Sequence, residues 1–196
     1  MPLPVPPLQL TQGQMAWALC YGRTPDQRTR NTLRYLRQLG IPLASAAASG
    51  SGNRVLYNFF DLVETGLGLT GLGLGFRPKD IADVLVVSRD ELRKVYATAW
   101  SELSEAAMSA SWVKSRGRMT ALMEDELYVR LHERWRERAA SFDFVDARTV
   151  SPNLPLLEPI EQFNDGPPRR VLPLKRLTLQ WVAWALEAPD IRPGRR

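Results

Sequence analysis

The chain has 196 residues, 44% hydrophobic and 24% charged, with a net charge of +5, which suits one ordinary domain or two small ones around a buried core and excludes a disordered tail. One cysteine, Cys20, and one histidine, His132, exclude a disulfide framework, a zinc ribbon and a His/Cys metal cluster within the chain. No apolar run approaches the ~20 residues of a membrane helix, and the opening MPLPVPPLQL has no basic segment and is broken by prolines, so the expectation is a cytoplasmic protein without signal peptide, metal or cofactor.

Residues 1–10 read as a proline-rich, polyproline-like arm. In TQGQMAWALC, residues 11–20, the apolar Met15, Trp17, Ala18 and Leu19 predict a short helix closed by Gly22. Thr24, Pro25 and Gln27 supply a second start signal: a cap, a proline suited to the first helical position, and a capping-box partner. This helix is expected to run to Leu39 and stop at Gly40, with Pro42 barring continuation. Leu33, Leu36 and Leu39 face inward and Arg30, Arg34 and Arg37 outward.

Two short helices joined by a tight, glycine-containing turn, the second rich in arginine, form a helix-turn-helix pattern. ASAAASGSGNR, residues 44–54, reads as a loop tip between two brief strands, 41–43 and 55–57, which together make a β-hairpin wing. The charge follows the same segment. Between Cys20 and Phe60 stand Arg23, Arg28, Arg30, Arg34, Arg37 and Arg54 against one acid, Asp26, so a fifth of the chain accounts for the whole net charge. Arginine presents a planar fork of donors that fits phosphates and guanine edges, and such a cluster is the electrostatic footprint of a nucleic-acid binder.

Beyond the wing, Pro78, Ile81, Val84 and Leu85 predict a further helix. Ser88 to Glu91 reads as a capping box, followed by Leu92, Val95, Ala99, Leu103 and Ala106 at helical spacing. Met123, Leu127, Leu131 and Trp135, each four apart, predict another amphipathic helix, with His132 on its solvated face. Prolines break residues 151–173 into extended pieces, and a last helix over about 175–187 carries Leu177, Trp181, Trp184 and Ala185. The tail IRPGRR adds positive charge.

GLGLTG, residues 66–71, satisfies G-x-G-x-x-G, but a dinucleotide site needs an apolar strand before it, and Asp61 and Glu64 occupy that stretch. Glycines in a helix each cost about 1 kcal/mol relative to alanine, so their expected benefit is close approach between packed elements. With no nucleophile–base arrangement, metal site or phosphate loop, catalysis is not expected.

Residues 11–85 resemble the winged helix-turn-helix DNA-binding domain of the MerR family of bacterial regulators. TLRYLRQLGI resembles that family's T-L-R-Y-Y-E-R-x-G-L, Tyr57-Asn-Phe-Phe-Asp61-Leu62 its Y-x-x-x-D-L after the wing, and LGFRPKDIADVL its L-G-F-S-L-x-E-I-x-x-L-L. Under that alignment the glycine-rich stretch is a helix. The segment before Thr32 is about two helical turns longer than the family's, and the C-terminal half lacks the cysteines of metal-sensing members.

The expected fold is therefore mainly α: an arm (1–10), a winged helix-turn-helix domain (11–87), a helical dimerisation or effector region (88–187) and a basic tail (188–196). The resemblance implies a homodimer paired through residues of about 88–111. It implies a sequence-specific regulator reading an inverted repeat in double-stranded DNA, in a bacterial cytoplasm or encoded by a phage or mobile element. An architectural, excisionase or phage small-terminase-like protein of the same fold is the alternative. Arg28, Arg30, Asn31 and Arg34 are the candidate base readers. Arg23, Arg37 and Arg54 are expected on phosphates, with Tyr35 and Tyr57 adding phosphate hydrogen bonds or burying. Phe142, Phe144, Trp181 and Trp184 line a small-molecule effector pocket or form the core of a dimerisation module.

Overall fold

Asn58 and Asp61 set the start of the helix around which the rest is arranged. The Asn58 side chain accepts from the Asp61 amide at 3.1 Å while the Asp61 carboxylate accepts from the Asn58 amide at 2.9 Å, a reciprocal capping box. The computed structural model describes residues 4–42, 55–101, 103, 127–134, 139–146 and 169–190. Among these are helices α1 (Gln12–Leu19), α2 (Gln27–Gln38), α3 (Phe59–Gly73), α4 (Pro78–Val87), α5 (Arg89–Ser101) and α6 (Leu174–Leu186), and strands β1 (Leu127–Arg134), β2 (Ala139–Asp146) and β3 (Arg169–Pro173). The fold is mainly helical.

Every residue from Asp61 to Gly68 is buried, so α3 is enclosed on all sides rather than amphipathic. Its glycines are what allow this. A Cβ at Gly66 would lie 2.6 Å from the Trp181 ring of α6, and one at Gly71 2.6 Å from Ile81 of α4. Gly68 lies under Leu36 of α2 and Ile41. The G-x-G-x-x-G run is thus helix interior, where close packing compensates for weak helix propensity.

One core cluster joins the two ends of the chain. Leu8, Met15, Leu36, Phe59, Leu67 and Ile81 belong to the same buried set as Leu92, Trp100, Leu179 and Trp181. The core therefore runs across the expected domain boundary at residue 87. Helix α6 packs against α1, α3 and α5, and Trp184 meets Trp17 edge-on with ring centroids 5.5 Å apart. Trp181 and Trp184 thereby pack on the chain's own core. Phe142 and Phe144 lie on β2, and their side chains fall outside the described residues.

Several expectations are corrected. The Tyr57 amide and carbonyl both bond to Leu10, each at 2.8 Å, so Tyr57 pairs with the N-terminal arm rather than with Ile41 or Pro42. Ile41 instead donates its amide to the Leu36 carbonyl at 3.0 Å, closing α2. Residues 43–54, with the wing tip and Arg54, lie outside the described residues. The arm is a strap rather than a free polyproline segment: Leu8 and Leu10 are buried, and Trp100 Nε1 donates to the Pro4 carbonyl at 2.8 Å.

The stretch around Leu127 and Leu131, expected as a helix, is instead the central strand of a three-stranded antiparallel sheet in the order β2-β1-β3, with Leu131 opposite both Phe142 and Arg170, while β3 falls where extended pieces were expected. Leu127 and Leu131 share a face at i, i+4 in a helix and equally in a strand, so their spacing did not discriminate. Met123 and Trp135 lie outside the described residues, and His132 is a strand residue. Ser88 ends α4, its amide donating to the Val84 carbonyl at 3.0 Å, instead of opening a capping box. The expected pairing helix is α5 as far as Ser101. Its Leu92, Tyr96, Ala99 and Trp100 are buried in the chain's own core, and residues 104–111 of the expected pairing segment lie outside the described residues.

Candidate nucleic-acid interface

Helix α2 begins two residues later than its sequence suggests. Asp26, not Thr24, is the cap, its carboxylate accepting the Thr29 amide at 2.7 Å. That bond, with help from the Thr29 side chain and nearby Arg28, holds the Asp26 carboxyl below the usual carboxylate range. The connection from α1 consequently spans residues 20–26, longer than the tight turn expected, and α1 packs on α6 and α3. Gly40, at φ +85°, turns the chain out of α2 through a region that side chains disfavour.

Leu33 and Leu36 are buried and Leu39 is partly so. The opposite side of α2 is open: Arg28, Arg30, Asn31, Arg34, Tyr35 and Arg37 are all exposed, as is Arg23 in the preceding connection. No acid occurs within Gln27–Gln38, so six of the nine expected contact residues share one exposed, positively charged helix, with Arg23 exposed beyond Asp26 in the preceding connection. Tyr57 does not belong to it. At 3% exposure it is a core residue, its backbone tied to Leu10, and no phosphate can reach its ring. Arg54 lies outside the described residues.

The exposed side chains are not equally free. Arg37 Nη1 donates to Gln12 Oε1 at 2.6 Å, linking α2 to the start of α1, and Arg30 Nε donates to the Pro25 carbonyl at 3.0 Å. Gln27 Nε2 donates to Asn31 Oδ1 at 2.9 Å. An arginine has five N–H donors, so Arg30 and Arg37 keep most of theirs for an external anion while being pre-set in direction.

What holds α2 in place is a buried ion pair that local sequence did not single out. Arg89 of α5 clasps Glu64 of α3, with Nη2 at 2.5 Å and Nε at 3.1 Å from the carboxylate, and its Nη2 also donates to the Gly40 carbonyl at 2.6 Å. One guanidinium thus joins α5, α3 and the end of α2. Burial pushes the Glu64 carboxyl up despite Arg89, while Glu64 holds the Arg89 guanidinium charged. Burial also raises Asp61, against the opposing Asn58 amide and the Arg93 guanidinium 3.8 Å away. The two acids before the glycine run, read only as evidence against a strand, were the available signal: acids inside an enclosed helix require cations from another element.

Gln27 and Gln38, also exposed on α2, were not among the expected contact residues. The signal that finds them is the helical period counted from Arg34. The α2 surface offers donors and positive charge without an acid, which suits a polyanion. Among the described residues no group of three or more His, Cys, Asp or Glu is placed to hold a metal ion, and no helix is long and apolar enough to cross a membrane. Compared with family models, curated proteins and solved structures, the chain matches none.

Proposed function

We propose that the chain binds double-stranded DNA through α2, as a sequence-specific regulator of the MerR-like kind working as a homodimer on an inverted repeat. The observation that carries this reading is the acid-free, arginine-lined exposed face of α2, set on a leucine-lined inner face. An ordinary solvated helix interleaves acids with its bases at i, i+4; this one does not. Arg37 and Arg30, braced by Gln12 and Pro25, are suited to positioning on phosphates, and Arg23 adds charge before the helix.

The test is selection from random duplex DNA followed by binding at several salt concentrations. A recovered inverted repeat with a steep salt slope supports a dimeric reader, because each neutralised phosphate contributes about −0.9 to the slope. Arg34→Ala is expected to lose about 1–3 kcal/mol and relax specificity at one position, whereas Arg37→Ala is expected to weaken all sequences alike and reduce the slope by about 1. Steep but sequence-blind binding moves the chain to an architectural or packaging role on the same face. No binding to duplex DNA overturns the reading.

A further inference from the structure

Helix α2 does not present its arginines as a uniform layer. At 3.6 residues per turn, Gln27, Asn31, Arg34 and Gln38 fall within about 60° of one another, along the middle of the exposed side. Arg30 and Arg37 lie about 80° to one side of that line, and Arg28 with Tyr35 about 80° to the other. A helix lying in a groove meets base edges along its midline and the two phosphate backbones along its flanks. Three amides and one arginine sit where bases would be met, and charge or hydroxyl sits where phosphates would be.

The midline amides are already organised. Gln27 Nε2 donates to Asn31 Oδ1 at 2.9 Å, a bond that uses neither the Asn31 amide donors nor the Gln27 carbonyl acceptor, on residues one helical turn apart. In the major groove adenine alone presents the matching pair, an N7 acceptor beside an N6 donor, whereas guanine offers two acceptors and cytosine one donor. Arg34 lies three residues further along, about 4.5 Å of helix rise, little more than the 3.4 Å between stacked bases. Its fork fits guanine O6 and N7.

We propose that Gln27 and Asn31 read one adenine as a joined amide pair while Arg34 reads a guanine of the neighbouring base pair, so that each half-site contains an A·T pair beside a G·C pair. The assignment rests on the DNA-binding reading of α2 and deepens it by naming the bases. It adds Gln27 to the contact set and gives Asn31 a partner that orients it.

The experiment uses the full chain and duplexes recovered from a randomised pool. At the enriched adenine, 7-deazaadenine removes only N7; both amide residues are exposed, so Asn31→Ala and Gln27→Ala remove side chains that do not hold the core. The expected result is an invariant adenine next to an invariant guanine, a loss of about ten- to a hundredfold on 7-deaza substitution in the parent chain, and no further loss from that substitution in Asn31→Ala. Gln27→Ala is expected to reduce discrimination of adenine from guanine about tenfold. Salt-steep binding without an invariant adenine, or with full 7-deaza sensitivity kept in Asn31→Ala, overturns the amide-pair assignment and leaves α2 as a DNA-binding face. Absence of any duplex binding overturns both.

Discussion

Tyr96 shows how a single side chain can be costly and still native. It is fully buried, and its hydroxyl has no hydrogen-bond partner among the described residues. Burial and the nearby Glu64 carboxylate push its ionisation far upward, so it is a neutral phenol at any working pH. An unpaired buried hydroxyl costs about 1–3 kcal/mol. Tyr96→Phe, which deletes only that atom, is therefore expected to raise the urea midpoint; a clear fall would mean the hydroxyl is satisfied. Glu64 contributes to the pH dependence, in the same sense as Asp61, which burial also raises, and opposite to Asp26, which is lowered. The ordinary value for Glu64 is 4.5 and burial raises it in the fold, so the folded chain holds the proton more tightly than the unfolded one. The stability it contributes is complete below pH 4.5 and is lost as pH rises through the folded value. In urea melts, the parent chain is expected to lose stability relative to Glu64→Gln over that rise, and a gain relative to Glu64→Gln would reverse the sign of the assignment.

The glycines of α3 separate two effects that a helix normally mixes. Gly66→Ala gains helix propensity of about 1 kcal/mol but places a methyl 2.6 Å from the buried Trp181 ring. Overpacking of that kind costs about 1–3 kcal/mol, so net destabilisation is expected. At Gly73, on the same helix, nothing lies within 4 Å of an added Cβ, and Gly73→Ala is expected to stabilise by up to about 1 kcal/mol. Thermal melts of the two variants should move in opposite directions. If both rise, α3 and α6 are not as closely packed as Gly66 and Trp181 imply. The glycine spacing was legible in the sequence as a need for close approach; which partners approach was not, because Trp181 lies more than a hundred residues away in the chain.

At the scale of the molecule, α6 completes the core that the first hundred residues begin. Trp181 on Gly66, and Trp184 against Gly22 and Trp17, join it to α3 and α1, while the arm straps Trp100 from the other end of the sequence. A chain ending at residue 173 is therefore expected to lose cooperative unfolding by circular dichroism rather than leave an intact N-terminal domain. A cooperative melt in the truncated chain would mean that the N-terminal part folds without α6.

Local sequence determined the helices and the charge. The leucine period placed α2 and its inward face, Pro78 the start of α4, Gly22 and Gly40 the exits from α1 and α2, and the arginine excess a single segment, because helix period, capping and φ preference act over a few residues. Even there the exact cap moved, since Asp26 outcompeted Thr24 for the first free amides. Tertiary structure alone decided the rest. The spacing of Leu127 and Leu131 suits helix and strand equally, and antiparallel neighbours on both sides chose the strand. Tyr57 took Leu10 as its partner, and Arg89 turned inward because Glu64 and the Gly40 carbonyl needed a cation. Those choices depend on what lies across the core, and that is written in distant residues rather than in the segment itself.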